Sequence, residues 1–296
     1  MKVKTVGILS AGEMGSAIGK VLRNAGIDVV TCLEGRSDLT RLRAGEAGMR
    51  VVPSLDQLVR ASDLIISVMV PSEALSVARP VSDSIRRTGA RPVFADLNAI
   101  SPQTILKIGK MMADAGVTVI DGGILGAPPR PGKADTRIYC SGPDTAALES
   151  LSAPGLDIRV LGPELGQASG LKMVYSASTK AVTALWTELL VAARALGLEE
   201  ALKAEFQRGG AAVAEAFNRR VPSMPRKSRR WVGEMEEIAA TFESLGMTPR
   251  MLLGAADMYR LVGDTPLADR TERQPDPSLD TVVETLVERL ASKRPD

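Results

Sequence analysis

From Lys2 to about Val160, short β-branched apolar runs alternate with segments whose apolar positions recur every three or four residues. That alternation predicts a parallel sheet whose strands are connected by helices. The strand-like runs are Thr5–Leu9, Asp28–Cys32, Arg50–Val52, Asp63–Val68, Pro92–Ala95 and Thr118–Ile120, and helical spacing covers Met14–Ala25, Leu39–Ala47, Glu73–Arg86 and Pro102–Ala115. Gly26, Gly48, Gly89 and Gly116 fall where these helices should stop. Two more runs, Thr136–Cys140 and Asp157–Val160, bracket a helix-like Asp144–Leu151 and predict an extension of the sheet. After Gly162-Pro163 only helical spacing follows, over Gly166–Leu196, Leu198–Arg208, Ala211–Arg220, Arg229–Leu245, Pro249–Leu261 and Leu279–Leu290. The pattern divides the chain into an α/β domain at 1–163 and an all-helical domain at 164–296, with the polar Pro266–Pro277 stretch as an exposed connector.

The first strand-to-helix turn reads Gly7-Ile8-Leu9-Ser10-Ala11-Gly12-Glu13-Met14-Gly15, a dinucleotide fingerprint with Ser10 in place of its first glycine. In this position Gly12 allows backbone to approach a pyrophosphate, Gly15 allows helix and strand to pack closely, and the helix start at Glu13 and Met14 offers free N–H groups. Ser10, Ala11, Gly12, Glu13, Met14 and Gly15 are therefore candidate cofactor-binding residues, in a doubly wound sheet of Rossmann type. The alternative is that the glycines serve only a tight turn. Ser10 is expected to strain that turn slightly. At the end of the second strand, Glu34 could accept from a ribose 2′-OH, whereas Arg36 and Ser37, backed by Arg41 and Arg43, would surround a 2′-phosphate with donors. The arginines favour NADP and leave NAD possible; the alternative is an ordinary solvated helix face.

Composition narrows the chemistry. The 296 residues contain no His, which removes Ser-His-Asp and Cys-His mechanisms and imidazole metal sites, so no metal is expected. Thirty-seven basic and thirty-five acidic residues leave a net charge of +2, and aromatic residues make up only 3%. A small-molecule partner is expected, with neither nucleic acid nor membrane surface. Cys32 and Cys140 lie in apolar stretches without CxxC spacing and read as small core residues, which suits a reducing cytoplasm. The start, MKVKTVGILSAGEMG, does not resemble a secretory or membrane-spanning segment, and a cytoplasmic location is expected.

Beyond the first turn, four stretches carry a family resemblance: Ser67-Val68-Met69-Val70-Pro71, Asp96-Leu97-Asn98-Ala99-Ile100-Ser101-Pro102, Asp121-Gly122-Gly123-Ile124-Leu125-Gly126-Ala127 and Gly166-Gln167-Ala168-Ser169-Gly170-Leu171-Lys172. With them the chain resembles the β-hydroxyacid dehydrogenases, a family that includes 3-hydroxyisobutyrate and 6-phosphogluconate dehydrogenases and, as a diverged branch, imine reductases. The C-terminal half is similar to the poorly characterised helical domain attached to 6-phosphogluconate dehydrogenase-like proteins. The resemblance implies that Met69, Val70, Pro71 and Asn98 touch cofactor, that Asn98, Gly122, Gly123, Leu125 and Gly126 line the substrate pocket as a loop, and that Lys172 is the catalytic acid/base. Three departures fall in the substrate site: Leu125 and Gly123 stand where the family loop usually has Ser and Pro, and Ser176 stands where Asn is usual.

Residues 172, 176 and 180 share one helix face by i,i+4 spacing, so Lys172, Ser176 and Lys180 are expected to converge on one ligand; the alternative for Lys180 is a surface charge. Tyr175 and Lys180 lack the spacing of the Tyr-Lys pair of short-chain dehydrogenases, and Tyr175 reads as packing. Pro128-Pro129-Arg130-Pro131-Gly132-Lys133 would hold two cations near the pocket mouth, which suggests an acidic substrate. The run Arg226-Lys227-Ser228-Arg229-Arg230-Trp231, followed by Glu234 and Glu237, reads as a solvated patch or as a carboxylate or phosphate recogniser. Together these features predict an NADP-dependent oxidoreductase acting on a small hydroxy or oxo acid, expected to be a homodimer through its helical domain. The alternatives are C=N reduction on the same fold and a nucleotide-binding protein without chemistry.

Overall fold

A computed structural model describes residues 3–130, 132–133, 135–152, 156–209, 211–271 and 274–292. The chain separates into two compact units, Met1–Met173 and Val174–Asp296.

In the first unit β1 (Thr5–Ile8), α1 (Glu13–Asn24), β2 (Asp28–Cys32), α2 (Asp38–Glu46), β3 (Arg50–Val52), α3 (Leu55–Ala61), β4 (Leu64–Ser67), α4 (Ala74–Thr88), β5 (Val93–Asp96) and α5 (Pro102–Ala113) alternate as the pattern predicts. They are followed by β6 (Val119–Leu125), β7 (Arg137–Ser141), a short α6 (Ala146–Glu149) and β8 (Asp157–Gly162). The strands form one eight-stranded sheet in the order β3-β2-β1-β4-β5-β6-β7-β8. Every neighbouring pair is parallel except β6–β7. Strand order reverses between β1 and β4, and the crevice at the strands' carboxyl ends there is where doubly wound sheets take their ligands.

Both sheet faces are covered, which is why β4 is apolar without alternation and buried along its whole length. Its Leu64 and Ile66 enter one core layer with Ile18 and Leu22 of α1, while Ile65 enters the other with Leu58, Ile85, Phe94 and Ile105. Helix α3 departs from the predicted pattern: Leu55–Ala61 is too short to display a period, yet Ser54 caps it by accepting from the Gln57 N–H at 3.3 Å, and Leu58 and Val59 are buried. The second departure bears on the site. Strand β6 continues to Leu125 because β7 pairs with it from Gly122↔Cys140 to Leu125↔Arg137, so Gly122, Gly123 and Leu125 belong to a strand and not to the expected loop.

Helix α7 (Gln167–Ala195) spans the division between the units, which therefore lies later than 163/164 and inside a helix. The second unit continues with α8 (Glu199–Gly209), α9 (Ala211–Ser223), α10 (Ser228–Ser244), α11 (Arg250–Gly263) and α12 (Leu279–Ala291). Its core includes Phe217, Val221, Met235, Ile238, Tyr259, Val282 and Leu286. The buried Tyr259 hydroxyl donates to the Lys180 carbonyl at 2.6 Å. Among the described residues no helix is long and apolar enough to cross a membrane.

Candidate functional site

The turn after β1 separates two glycine roles. A Cβ on Gly15 would lie 2.0 Å from the Ser10 carbonyl oxygen, so Gly15 is required by the turn itself. A Cβ on Gly12 would meet nothing nearer than the Ser10 hydroxyl at 3.9 Å, which leaves open space above its backbone. Gly12 is the N-cap of α1 and has no side-chain cap, so the first N–H groups of that helix, at Glu13, Met14 and Gly15, have the anion-binding character of an uncapped helix start. No non-glycine residue among those described has a positive φ, and Ser10 therefore sits in the turn without the expected strain. Ala11 behind it is fully buried.

Beside this turn is a cavity of about 280 Å³ whose lining includes Leu9, Cys32, Glu34, Arg36, Val77 and Pro80. Its apolar walls suit a flat ring and its Glu34–Arg36 rim suits a sugar or phosphate. The Arg36 guanidinium reaches back to the Leu9 carbonyl at 3.2 Å. Glu34 and Ser37 are exposed, and the Ser37 hydroxyl caps α2 by accepting from the Thr40 N–H at 3.3 Å. Cys32 lines this cavity half-buried, whereas Cys140 is a core residue whose thiol burial pushes up to about 11.

Asn98 turns inward. It is 1% exposed; its amide nitrogen donates to the Ser67 hydroxyl and to Asp96 Oδ2, both at 2.9 Å, and its amide oxygen accepts from the Met69 N–H at 2.6 Å. These bonds make Asn98 a clamp between the ends of β4 and β5, which fixes the Met69-Val70-Pro71 segment. Asp96, missed in the sequence, anchors the clamp by accepting also from the Asn98 N–H at 2.9 Å. Burial pushes its carboxyl up to about 7 against the pull of those donors, with the neighbouring Asp121 charge adding to the rise.

The amine of Lys172 donates to the Ile124 carbonyl at 2.6 Å, which brings α7 onto β6. A Cβ on Gly123 would come within 2.9 Å of both the Ala168 carbonyl oxygen and Lys172 Cβ, so the missing side chain admits the helix that carries the lysine. A Cβ on Gly122 would meet the end of the Leu97 side chain at 2.1 Å and the Asp96 carbonyl oxygen at 3.2 Å. Leu125 is buried, and the exposed Gly126 has φ +118° with its Cβ direction blocked by the Asp135 carbonyl. Beyond it, Arg130 and Lys133 are exposed and bridged by a backbone hydrogen bond of 3.1 Å; Pro131 lies outside the described residues.

The remaining expectations belong to the helical unit. Ser176 is buried. Lys180 is buried as well, so it is not a surface charge: its amine meets Glu234 at 2.9 Å and lies 5.6 Å from the Trp231 ring centre. Its charge is matched there without any ligand. Tyr175 is 45% exposed and not packed. The basic run is bound into its own unit, with Arg226 on Asp276, Arg229 on Asp269, Arg230 on Glu234, and Lys227 over Trp231. Arg229 and Arg230 are nonetheless exposed, as a solvated patch would have them.

Residues 5–153 match the NAD binding domain of 6-phosphogluconate dehydrogenase, and residues 193–262 match a domain of unknown function (DUF1932). An uncharacterised 28.5 kDa protein of Methanothermus fervidus is 30% identical over 256 residues, covering 86% of this chain and 97% of its own. A solved conserved protein of unknown function, described as structurally similar to 3-hydroxyacid dehydrogenases, is 32% identical with a TM-score of 0.66 over 90% of this chain and 100% of its own. Two others share the fold alone. The 3-hydroxyisobutyrate dehydrogenase of Mycobacterium tuberculosis, solved with L-serine, is 19% identical with a TM-score of 0.69, over 96% of this chain and 99% of its own. A reductive aminase of Aspergillus terreus, solved with NADPH and ethyl levulinate, is 17% identical with a TM-score of 0.55, over 98% and 99%.

Proposed function

From the premise that the chain belongs to the β-hydroxyacid dehydrogenase family, built on the NAD binding domain of 6-phosphogluconate dehydrogenase, we propose an NADPH-dependent oxidoreductase that interconverts a small β-hydroxy acid and its oxo acid. The observation that carries this reading is the Lys172 amine seated on the Ile124 carbonyl, next to the Gly122-Gly123 strand.

The residues present fit a nicotinamide dinucleotide: open space over Gly12, an uncapped α1 start for the pyrophosphate, and a cavity for the adenosine end. When bound, that group donates or accepts the hydride. Arg36 at the cavity rim pairs with a 2′-phosphate as a planar donor, which supports NADPH over NADH. Asn98 acts indirectly, by holding the Met69 N–H and with it the segment that follows β4. Lys172 gives a proton to the oxygen of the substrate when an oxo acid is reduced and takes it back when a hydroxy acid is oxidised; a chain without His needs such a group. The exposed Arg130 and Lys133 favour a substrate carboxylate. A homodimer belongs to the same reading and is supported by the exposed Val174, Leu185 and Leu189 along α7 and Leu196 just beyond it; a monomer at micromolar concentration in sedimentation equilibrium would remove it.

The test is turnover of hydroxy and oxo acids with NADPH and NADH, in the wild type and in Lys172→Met. The variant is expected to lose about 10²–10⁴ in kcat with NADPH affinity within a few fold. Retained kcat would end the role of Lys172. A neutral cyclic imine turned over faster than every acid would move the assignment to C=N reduction, and NADPH binding without any turnover would leave a nucleotide-binding protein.

A further inference from the structure

Asp121 is fully buried on β6 and none of its bonds is to a cation. Its Oδ2 accepts from the Gly166 N–H at 2.9 Å, the Ser169 N–H at 3.0 Å and the Ser141 hydroxyl at 3.1 Å, and its Oδ1 accepts from the Ser169 hydroxyl at 2.5 Å. The Ser141 oxygen in turn accepts from the Ala168 N–H at 3.1 Å. These contacts serve the opening turn of α7, whose leading residue Gly166 has no side chain with which to cap it. A helix start left unmet inside a protein is costly, and a carboxylate is the group that its dipole and free donors favour.

The same strand and the same helix meet a second time at Ile124 and Lys172. Asp121 and Ile124 are three residues apart on the strand, and Ser169 and Lys172 are three apart on the helix. The strand advances about 10 Å over that interval and the helix about 4.5 Å. The four-carbon stem of lysine spans the remainder. Gly123 between the two contacts admits no side chain that would hold the helix away. Axial slippage of α7 would therefore part the amine from the Ile124 carbonyl.

We propose that Asp121 is the positioning residue of the catalytic lysine: by capping α7 from a neighbouring strand it sets the height at which the Lys172 amine is presented. The proposal rests on the reading of Lys172 as acid/base, and it includes Ser169 as the hydroxyl that completes the cap.

Its test uses the full chain with Asp121→Asn, Ser169→Ala and Lys172→Met. Asp121→Asn keeps the shape but turns an amide N–H toward donors. It is expected to lower kcat about ten- to a hundredfold, the scale of a misplaced catalytic group, while KM and NADPH affinity stay within about threefold. Ser169→Ala is expected to lower kcat about three- to tenfold with the same split. A second readout needs no turnover: acylation of Lys172 at fixed pH, followed by mass spectrometry against the exposed Lys20, should quicken severalfold in both variants as the Ile124 tether loosens. Wild-type kcat and labelling in either soluble variant would overturn the proposal, as would a loss of NADPH affinity equal to the loss of kcat. If Asp121→Asn does not fold, Ser169→Ala decides by the same two readouts. If Lys172→Met retains turnover while Lys172 labelling still quickens in Asp121→Asn and Ser169→Ala, the acid/base reading falls and Asp121 keeps its hold on the lysine.

Discussion

The buried carboxylates of the sheet unit and of the helical unit are held by different chemistry. Asp96 and Asp121 are register partners on β5 and β6, and their hydrogen bonds come from amide N–H groups and hydroxyls. In the helical unit Glu234 meets Lys180 at 2.9 Å and Arg230 at 3.5 Å, while Glu199 meets Arg194 and Lys203, each by a short ion pair. The consequences are opposite. Desolvation without a cation pushes Asp96 up to about 7, whereas the Arg194 guanidinium, helped by Lys203, holds Glu199 at about 2. Neutral donors fix a backbone segment without introducing positive charge. Ion pairs tie helices together, and the sequence-distant pair Lys180–Glu234 joins α7 to α10 in that way.

The largest expected effect comes from breaking the helical unit's pair. Glu234→Gln leaves the Lys180 ammonium buried with its close partner gone, and such removals cost about 3–5 kcal/mol. Lys180→Met combined with Glu234→Leu should recover most of that loss, because packed apolar groups replace both charges. Urea unfolding followed by tryptophan fluorescence reads this unit alone, since both tryptophans, Trp186 and Trp231, lie within it. A shift below about 1 kcal/mol for Glu234→Gln would mean that the pair is solvated, as surface pairs are, and the contrast would fail.

Next in size is the pH dependence of the sheet unit. The folded-state value for Asp96 lies above its ordinary value of 3.8, so the folded unit holds that proton more tightly than the unfolded chain. The stability it contributes is complete below about 3.8 and is lost as pH rises toward 7, an upper bound on the order of 4 kcal/mol. Asp96→Asn should flatten this slope, as read by hydrogen exchange of the β4 and β5 amides. Glu199 has the opposite sign: its stabilisation is present above its ordinary 4.5 and is lost as pH falls toward 2. Parallel pH profiles for the two units would contradict the distinction drawn from their partners.

Sequence pattern revealed the sheet because strands covered on both faces leave unbroken apolar runs, and it revealed the tight turn after β1 because Gly15 stands where a Cβ would strike the Ser10 carbonyl. The two positioning carboxylates were not legible. Asp121 finds Ser141 twenty residues away and Ser169 forty-eight away, and a cap supplied across the fold leaves only a negative sign in the sequence: Gly166, at the head of α7, has no side chain to cap it. Lys180 shows the limit of i,i+4 reasoning, which places a side chain on a helix face but does not say what the face meets; here it meets Glu234. The strand extension through Gly123 was hidden because glycines carry no period.

At the rim of the cavity beside the first turn the sheet unit does present a cation, and this makes Arg36 a useful third test. A charge-assisted contact to a 2′-phosphate contributes on the order of 1.5–3 kcal/mol, so Arg36→Ala should weaken NADPH about tenfold or more and leave NADH nearly unchanged. Fluorescence titration with both cofactors reads the difference. Equal weakening would reduce Arg36 to its bond with the Leu9 carbonyl, and a wild-type preference for NADH would give the ribose to Glu34.

The smallest effect is expected where burial is absent, and it separates burial from charge sign as the origin of the contrast. Arg260 bonds to Glu236 and, at 2.6 Å, to Asp257, and these side chains are 46%, 47% and 73% exposed. In the sheet unit Arg86 meets Asp83 at 3.1 Å with 46% and 56% exposure. Water screens both sets alike, and the long side chains lose rotamer freedom on pairing, so Arg260→Ala and Arg86→Ala should each shift stability by less than about 1 kcal/mol. Their effects should also fade together as salt is raised, whereas that of Glu234→Gln should persist, because screening by ions reaches exposed pairs and not buried ones. A large, salt-insensitive loss from Arg260→Ala would show that the helical unit depends on ion pairs throughout, and the difference between the units would then lie in composition and not in where each buries its charge.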